Sequence, residues 1–322
     1  MKRGLGIALV GVGAFLLVLA GALKWYAVPA LSKAPLVPGE STGGLSTSIA
    51  VGVAETLFDP SALASGGNPV RTNVPLTSTR TTRGDVAASQ TDEAKAADLA
   101  IYDSFSNLTD DAGTTISAGT IRVAFNRVTS ELSNCCNANI DGEPVEWAGI
   151  NPLKFPFNVE QRTYDYFDTT LVKPVPIEFA GTEDLDGLEV YVFKQTIPAT
   201  QIGEQEVPGS LVGSTEPSVK APRMYENIRT LQVDPSTGSI IAGIEEQKQW
   251  LAGADGTEKL TIIKATVGTD ESTKQAAIDD AKSNSALLKT LGSTVPLIGF
   301  ILGAVLLVVG FVLVARKDPV SV

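Results

Sequence analysis

The sequence predicts a mainly β ectodomain, an antiparallel sandwich or barrel-like sheet, held between an N-terminal and a C-terminal transmembrane α-helix. Three observations predict it. Val295–Ala315 runs for about 21 residues without a charge, long enough to cross a hydrocarbon core of roughly 30 Å as a helix. Gly4–Leu23 is a second run of the same kind. Between them, apolar and polar residues alternate with the period of two expected of half-buried strands.

The first span opens behind Lys2-Arg3, and the last is stopped by Arg316-Lys317. Positive flanks stay cytoplasmic, so residues 1–3 and 316–322 read as cytoplasmic ends of a plasma-membrane protein. Residues 4–23 and 291–315 are then the spans, and 24–290 the extracytoplasmic domain. A cleaved signal peptide with a cut near Val28-Pro-Ala30 is the alternative for the first span. The length of the apolar run and the proline beside the cut favour retention.

After the first span, Lys24-Trp25-Tyr26 suits the headgroup level, and Pro29, Pro35 and Pro38 predict an extended exit. A Ser/Thr/Gly/Ala-rich stretch follows, with short strands at Ala50–Leu57 and Val74–Thr82 and a turn at Phe58-Asp-Pro60. Thr91–Leu99 reads as a short helix. Thr120–Val128, Gln161–Asp168, Val175–Phe179, Leu188–Ile197, Ile228–Val233, Ser239–Leu251 and Leu260–Val267 alternate as strands. Turn pairs such as Asp186-Gly187 and Asp255-Gly256 separate them, the latter giving the clearest hairpin. Asp270 or Ser272 is placed to cap a helical stalk over about 269–290, with Ala277, Ile278, Ala281, Leu288 and Leu291 as its apolar positions. Gly292 and Pro296 predict a break before the last span, with Thr294 as its cap.

Composition excludes several functions. With 25 basic against 36 acidic residues and a net charge of −11, the chain has no basic footprint for nucleic acid. It contains no histidine and two cysteines, which removes Ser-His-Asp and Cys-His nucleophile pairs and most zinc or haem sites. No spacing singles out a carboxylate pair. The expectation is a non-enzymatic protein without cofactor or metal.

Gly149–Asp168 reads G-I-N-P-L-K-F-P-F-N-V-E-Q-R-T-Y-D-Y-F-D. Its Lys154-Phe-Pro-Phe157 cluster, followed by Thr163-Tyr164 and Phe167-Asp168, resembles an actinobacterial envelope family, the PorA family of so-called porins. Leu57-Phe-Asp-Pro60, Val123-Ala-Phe-Asn-Arg127 and Val233-Asp-Pro-Ser-Thr-Gly238 are similar to it as well, and the two-span layout fits. Asn126 stands where the family pattern suggests an aspartate. The resemblance implies an actinobacterial cell envelope, an extracytoplasmic β-domain of unknown function and no catalytic residues. A membrane barrel spans with about eight or more lipid-facing strands. Here the spanning elements are helices, so a pore requires several chains.

Cys135 and Cys136 are adjacent, and outside the cytoplasm two thiols tend to oxidise. They are the structural disulfide candidate; a redox-labile turn and an intermolecular bridge are the other readings. Phe155, Pro156, Phe157, Tyr164, Tyr166 and Phe167 concentrate rings in a chain only 6% aromatic, as a β-domain core or as a hydrophobic mouth for lipid. Asp110-Asp111-Ala-Gly113 and Glu183-Asp184-Leu-Asp186-Gly187 lack the spacing of a calcium loop and read as solvated turns. Gly299-x-x-x-Gly303 allows close helix approach, either of the two spans or between copies. The preferred function is binding or transfer of a hydrophobic envelope component by the ectodomain. The alternatives are an oligomeric channel and a scaffold for envelope-assembly proteins. The bilayer is a partner in all three, with envelope lipid or a second copy of the chain as further candidates.

Overall fold

A computed structural model describes residues 2–39, 44–64 and 66–315, with side chains from Gly4 onward and excluding Ala64. The basic side chains expected to orient the spans, those of Lys2, Arg3, Arg316 and Lys317, lie outside the described side chains. The chain divides into two compact units, one of residues 1–33 with 282–322 and one of residues 34–281.

The first unit is helical. Helix α1 (Lys2–Ala22) passes through a π-helical turn at Leu23–Ala27 into α2 (Val28–Leu31). Later in the chain, α6 (Glu271–Lys289), whose residues up to Ala281 belong to the second unit, passes through a second π-turn at Thr290–Thr294 into α7 (Val295–Ala315). Both helices, Gly4–Leu31 and Glu271–Ala315, are long and apolar enough to span a membrane. The expected interruptions at Pro29 and Pro296 do not occur. Proline clashes with the carbonyl four residues earlier, and those residues, Trp25 and Gly292, lie within the two π-turns. The wider turn gives the ring room, so each helix continues.

The spans pack antiparallel along small residues seven apart. Gly6, Gly13 and Ala20 on α1 and Pro296, Gly303 and Gly310 on α7 are the buried positions. A methyl group on Gly13 would come 2.8 Å from the Gly303 carbonyl, and one on Gly6 would come 2.9 Å from that of Gly310. A seven-residue repeat keeps one seam of each helix facing the other. Gly303 of the expected motif lies on that seam. Gly299 is only half-buried, against Ala20.

The second unit is an antiparallel β-domain. Its strands are β1 (Leu45–Phe58), β2 (Val70–Gly84), β3 (Leu99–Asp110), β4 (Thr115–Asn126), β5 (Leu132–Ser133), β6 (Asn139–Ile140), β7 (Glu143–Pro144), β8 (Tyr164–Asp168), β9 (Lys173–Leu185), β10 (Leu188–Pro208), β11 (Ser218–Val233), β12 (Ile240–Ala252) and β13 (Glu258–Thr269). Short helices α3 (Pro60–Ala64), α4 (Val86–Ser89) and α5 (Asp92–Ala96) lie in the connections. The strand order is β7-β6-β4-β3-β2-β1-β13-β12-β11-β10-β9-β8, with β5 on β4. Asp255-Gly256 forms the expected hairpin, with Gly256 at φ +75°.

The first and last strands are neighbours. Ala50 faces Thr269, and Asp270 follows directly, donating its backbone N–H to the Ile49 carbonyl (3.0 Å). Asp270 also caps α6, accepting from the Thr273 backbone N–H at 2.8 Å. Ile278 and Ala281 of that helix are buried with Leu188, Val190 and Ile241.

The sheet is open rather than closed as a barrel. One end thins into the two-residue strands β5, β6 and β7, and residues 145–163, which contain Pro152 and Pro156, form no strand. Among the described residues, isolated bridges at Ile150 link that end to the other, pairing with Glu131 and with Tyr166. The sheet still curls, because side chains of β2, β3, β4, β11 and β12 line one interior cavity. Strand β3, not expected from the sequence, is buried on both faces over Leu99–Tyr102, which erases its alternation.

Candidate functional site

The four stretches that resemble a known family prove to be neighbours in part. The Phe155 N–H donates to the Gly238 carbonyl (2.8 Å), Asn158 N–H to Ser236 (3.1 Å) and Val159 N–H to Pro235 (2.8 Å). Gly238 sits at φ +74°, and a Cβ there would strike the carbonyls of Phe155 and Pro156, so only glycine lets the two loops close. Phe157 N–H reaches the Val128 carbonyl (2.9 Å). Asn126 accepts from the Val128 and Thr129 N–H groups (2.9 and 3.0 Å) and donates to the Ala97 carbonyl (3.0 Å). The last bond needs an amide; an ionised carboxylate only accepts.

The structure places Phe155, Tyr164, Tyr166 and Phe167 in the interior, with Pro156 and Phe157 half-buried. Phe155 stacks on Phe193 at 4.7 Å and meets Tyr164 edge-on at 5.6 Å. Tyr166 and Phe167, successive on β8, enter two different core clusters. Beside them, Lys154 donates to the carbonyls of Phe155 (2.9 Å) and Thr237 and lies 4.1 Å over the Phe157 ring. Burial lowers its pKa to about 7, with the Asp234 charge acting the other way.

Deeper inside lies an ion network. Arg229 donates to Asp168 (3.2 Å), Glu245 (2.7 Å) and Gln195 (2.5 Å). Asp168 also accepts from the backbone N–H groups of Thr170 and Leu171, and its side chain is fully buried. Burial opposes the Arg229 charge most strongly, but Glu245, Tyr166 and Asp168 together outweigh it and hold the guanidinium pKa well above its ordinary value. Arg80, Ser104, Ser106 and Tyr166 help line a cavity of about 80 Å³ above this network. That is room for a few waters, not for a lipid.

The larger concavity is on the opposite, outer face, a groove of about 610 Å³ across β1, β2, β3, β4 and β6. Register builds it in two rows. Leu45 lies opposite Arg83, Arg83 opposite Asp103, Asp103 opposite Arg122, and Arg122 opposite Asn139. The next row sets Phe105 between Thr81 and Thr120. Phe105 is 48% exposed and Leu45 47%. Arg122 pairs with Asp85 (2.7 Å) and Asp103 (2.8 Å) and donates Nε–H to the Cys136 carbonyl (3.0 Å). Arg83, far more exposed, reaches Asp103 only at 3.6 Å. The groove thus joins apolar side chains to an accessible guanidinium.

Sequence reading missed both the inner network and the groove. The available signal was Phe105, an apolar residue set among the polar positions Asp103, Asn107 and Thr109 on the same face of β3. Cys135 and Cys136 are joined in a disulfide near the groove's edge. Of the acidic stretches expected to be solvated turns, Asp184 accepts from the Gly187 N–H at an exposed turn, but Asp110 is buried, accepting from the Ala112 and Thr114 N–H groups and pairing with Arg71 at 2.6 Å.

A model of the family described as Porin PorA matches residues 5–312. A protein of Corynebacterium amycolatum with the name Porin PorA is 27% identical, the match covering 97% of this chain and 98% of that one. A second Porin PorA, from Corynebacterium resistens, is 25% identical, with 98% of each chain covered. A solved Parabacteroides distasonis chain described as a lipoprotein matches 68% of this chain at 10% identity, but its TM-score of 0.16 carries no argument.

Proposed function

The chain belongs to the PorA porin family, and from that premise we propose a non-enzymatic envelope protein whose extracytoplasmic β-domain binds an amphipathic, acyl-chain-bearing envelope component. The outer groove carries this reading. Its volume of about 610 Å³ lies within the range of about 300–1,000 Å³ usual for small-molecule sites. Phe105 and Leu45 offer apolar contact, and Arg83 offers an accessible partner for an anionic headgroup.

Full-length protein purified in mild detergent tests it. Organic extraction and mass spectrometry are expected to recover acyl lipid in stoichiometric amount from the wild type and less than a tenth as much from Phe105→Asp. Equal recovery from both proteins, or none from the wild type, overturns the proposal.

The relatives' name supports a second reading, an oligomeric channel. The open sheet and the absence of charge in both spans weigh against a single-chain pore. Discrete conductance steps in a planar bilayer, lost on dissociation to monomers, would favour it over lipid binding.

A further inference from the structure

One corner of the β-domain brings together three donor atoms that no sequence spacing connects. The sulfurs of Cys135 and Cys136 and a carboxylate oxygen of Glu93 all lie within 4.8 Å of one another. Glu93 sits in the first turn of α5, whose start is fixed by the Thr91 hydroxyl accepting from the Ala94 N–H. Cys135 is buried with Ala94, Leu99, Ile101 and Ala124, and Cys136 packs beside them. Helix and cysteine turn therefore share one small core, which holds the carboxylate over the two sulfurs. Glu93 is exposed and Cys136 half-buried, so the corner opens to solvent. A second contact ties the turn down: its Cys136 carbonyl accepts from Arg122 Nε–H.

We propose that reduction of the Cys135–Cys136 disulfide converts this corner into a binding site for a thiophilic divalent cation such as zinc or cadmium, held by two thiolates and the Glu93 carboxylate. Thiolate ligands select soft and borderline ions. In a tetrahedral site with bonds of about 2.0–2.3 Å, donor atoms stand roughly 3.5–3.8 Å apart, so the Glu93 oxygen needs a small movement and the two sulfurs, bonded to each other in the oxidised chain, separate on reduction. Adjacent cysteines chelate without closing a long loop. Solvent completes the coordination.

The reaction balances with a dithiol as reductant. The Cys135–Cys136 S–S bond breaks and two S–H bonds form, while the dithiol loses its two S–H bonds and closes its own S–S bond. The cation then displaces both thiol protons into solvent. The oxidised chain offers a single carboxylate and no thiolate, so the site exists in one redox state only.

Full-length protein in detergent is reduced with dithiothreitol, freed of it without oxygen and titrated with Cd²⁺. Binding is followed by the thiolate-to-cadmium ultraviolet band and by metal analysis after dialysis. The expected result is one Cd²⁺ per reduced chain and none per oxidised chain, with Glu93→Gln weakening binding by at least about tenfold. The oxidised wild type is the folded control, so the outcome does not depend on a cysteine variant folding. Equal binding by reduced and oxidised protein overturns the proposal. Unchanged affinity in Glu93→Gln removes the carboxylate from the site and overturns the three-donor assignment.

Discussion

The two faces of the same sheet carry two ion networks built from the same side-chain types in opposite settings. On the inner face, Arg229 meets Asp168 and Glu245, with the Asp168 side chain wholly buried and that of Arg229 10% exposed. On the outer face, Arg83, Asp103, Arg122 and Asp85 form a ladder open to water, in which Arg83 is 68% exposed. Asp168 and Arg229 have lost most of their hydration and depend on each other, while the Glu245 side chain stays 40% exposed. Outside, water substitutes for a missing partner, and the pair contributes little to stability. The inner network therefore fixes how strands β8, β10, β11 and β12 meet, while the outer one remains available to a ligand.

The largest break should come from the inner face. Asp168→Ala leaves Arg229 with one carboxylate and removes the acceptor for two backbone N–H groups; a loss of about 3–5 kcal/mol is expected, measured by urea unfolding of full-length protein. A loss under about 1 kcal/mol would show that interior and surface pairs do not differ as argued.

Lys154 sharpens the comparison through pH. Below about pH 7 the folded and unfolded chains both hold its proton, and above the ordinary value of 10.5 neither does. Between these limits the unfolded chain alone holds it, so stability should rise with pH by up to about 1.4 kcal/mol per unit. Lys154→Met is expected to flatten that rise, as read from urea midpoints across pH 7–10. An unchanged slope would contradict it. The smallest effect belongs to Arg83→Ala on the outer ladder, expected within about 0.5 kcal/mol in the same unfolding experiment. A larger loss would mean that this exposed pair is structural.

Legibility in the sequence followed burial. Strand β13, with Ile263 and Ala265 buried and Lys264 and Thr266 exposed, alternated and was readable. Strand β3 starts Leu-Ala-Ile-Tyr, buried on both sides, and carried no period-two signal. The aromatic cluster could be found but not assigned, because burial and exposure demand the same rings; Phe193, Tyr164 and Tyr166 around Phe155 make it interior packing. The motifs shared with the family became intelligible only as contacts, Lys154–Val159 against Asp234–Gly238. Glu93 gave no signal at all, lying some forty residues from the cysteines it approaches.

Some properties of this protein are local and were therefore determined by sequence alone. Apolar length marks the two spans, period-two patterning marks most strands, Asp255-Gly256 makes a hairpin, and the missing histidine removes whole classes of chemistry. Other properties depend on residues distant in the chain and were decided only by tertiary structure. The pairing of β1 with β13, the open rather than closed sheet, the continuity of both helices through their prolines, and the joining of Phe105 to Arg83 and of Glu93 to the cysteines all belong here. The physical reason is that periodicity reports which side of an element is buried, and not which other element buries it.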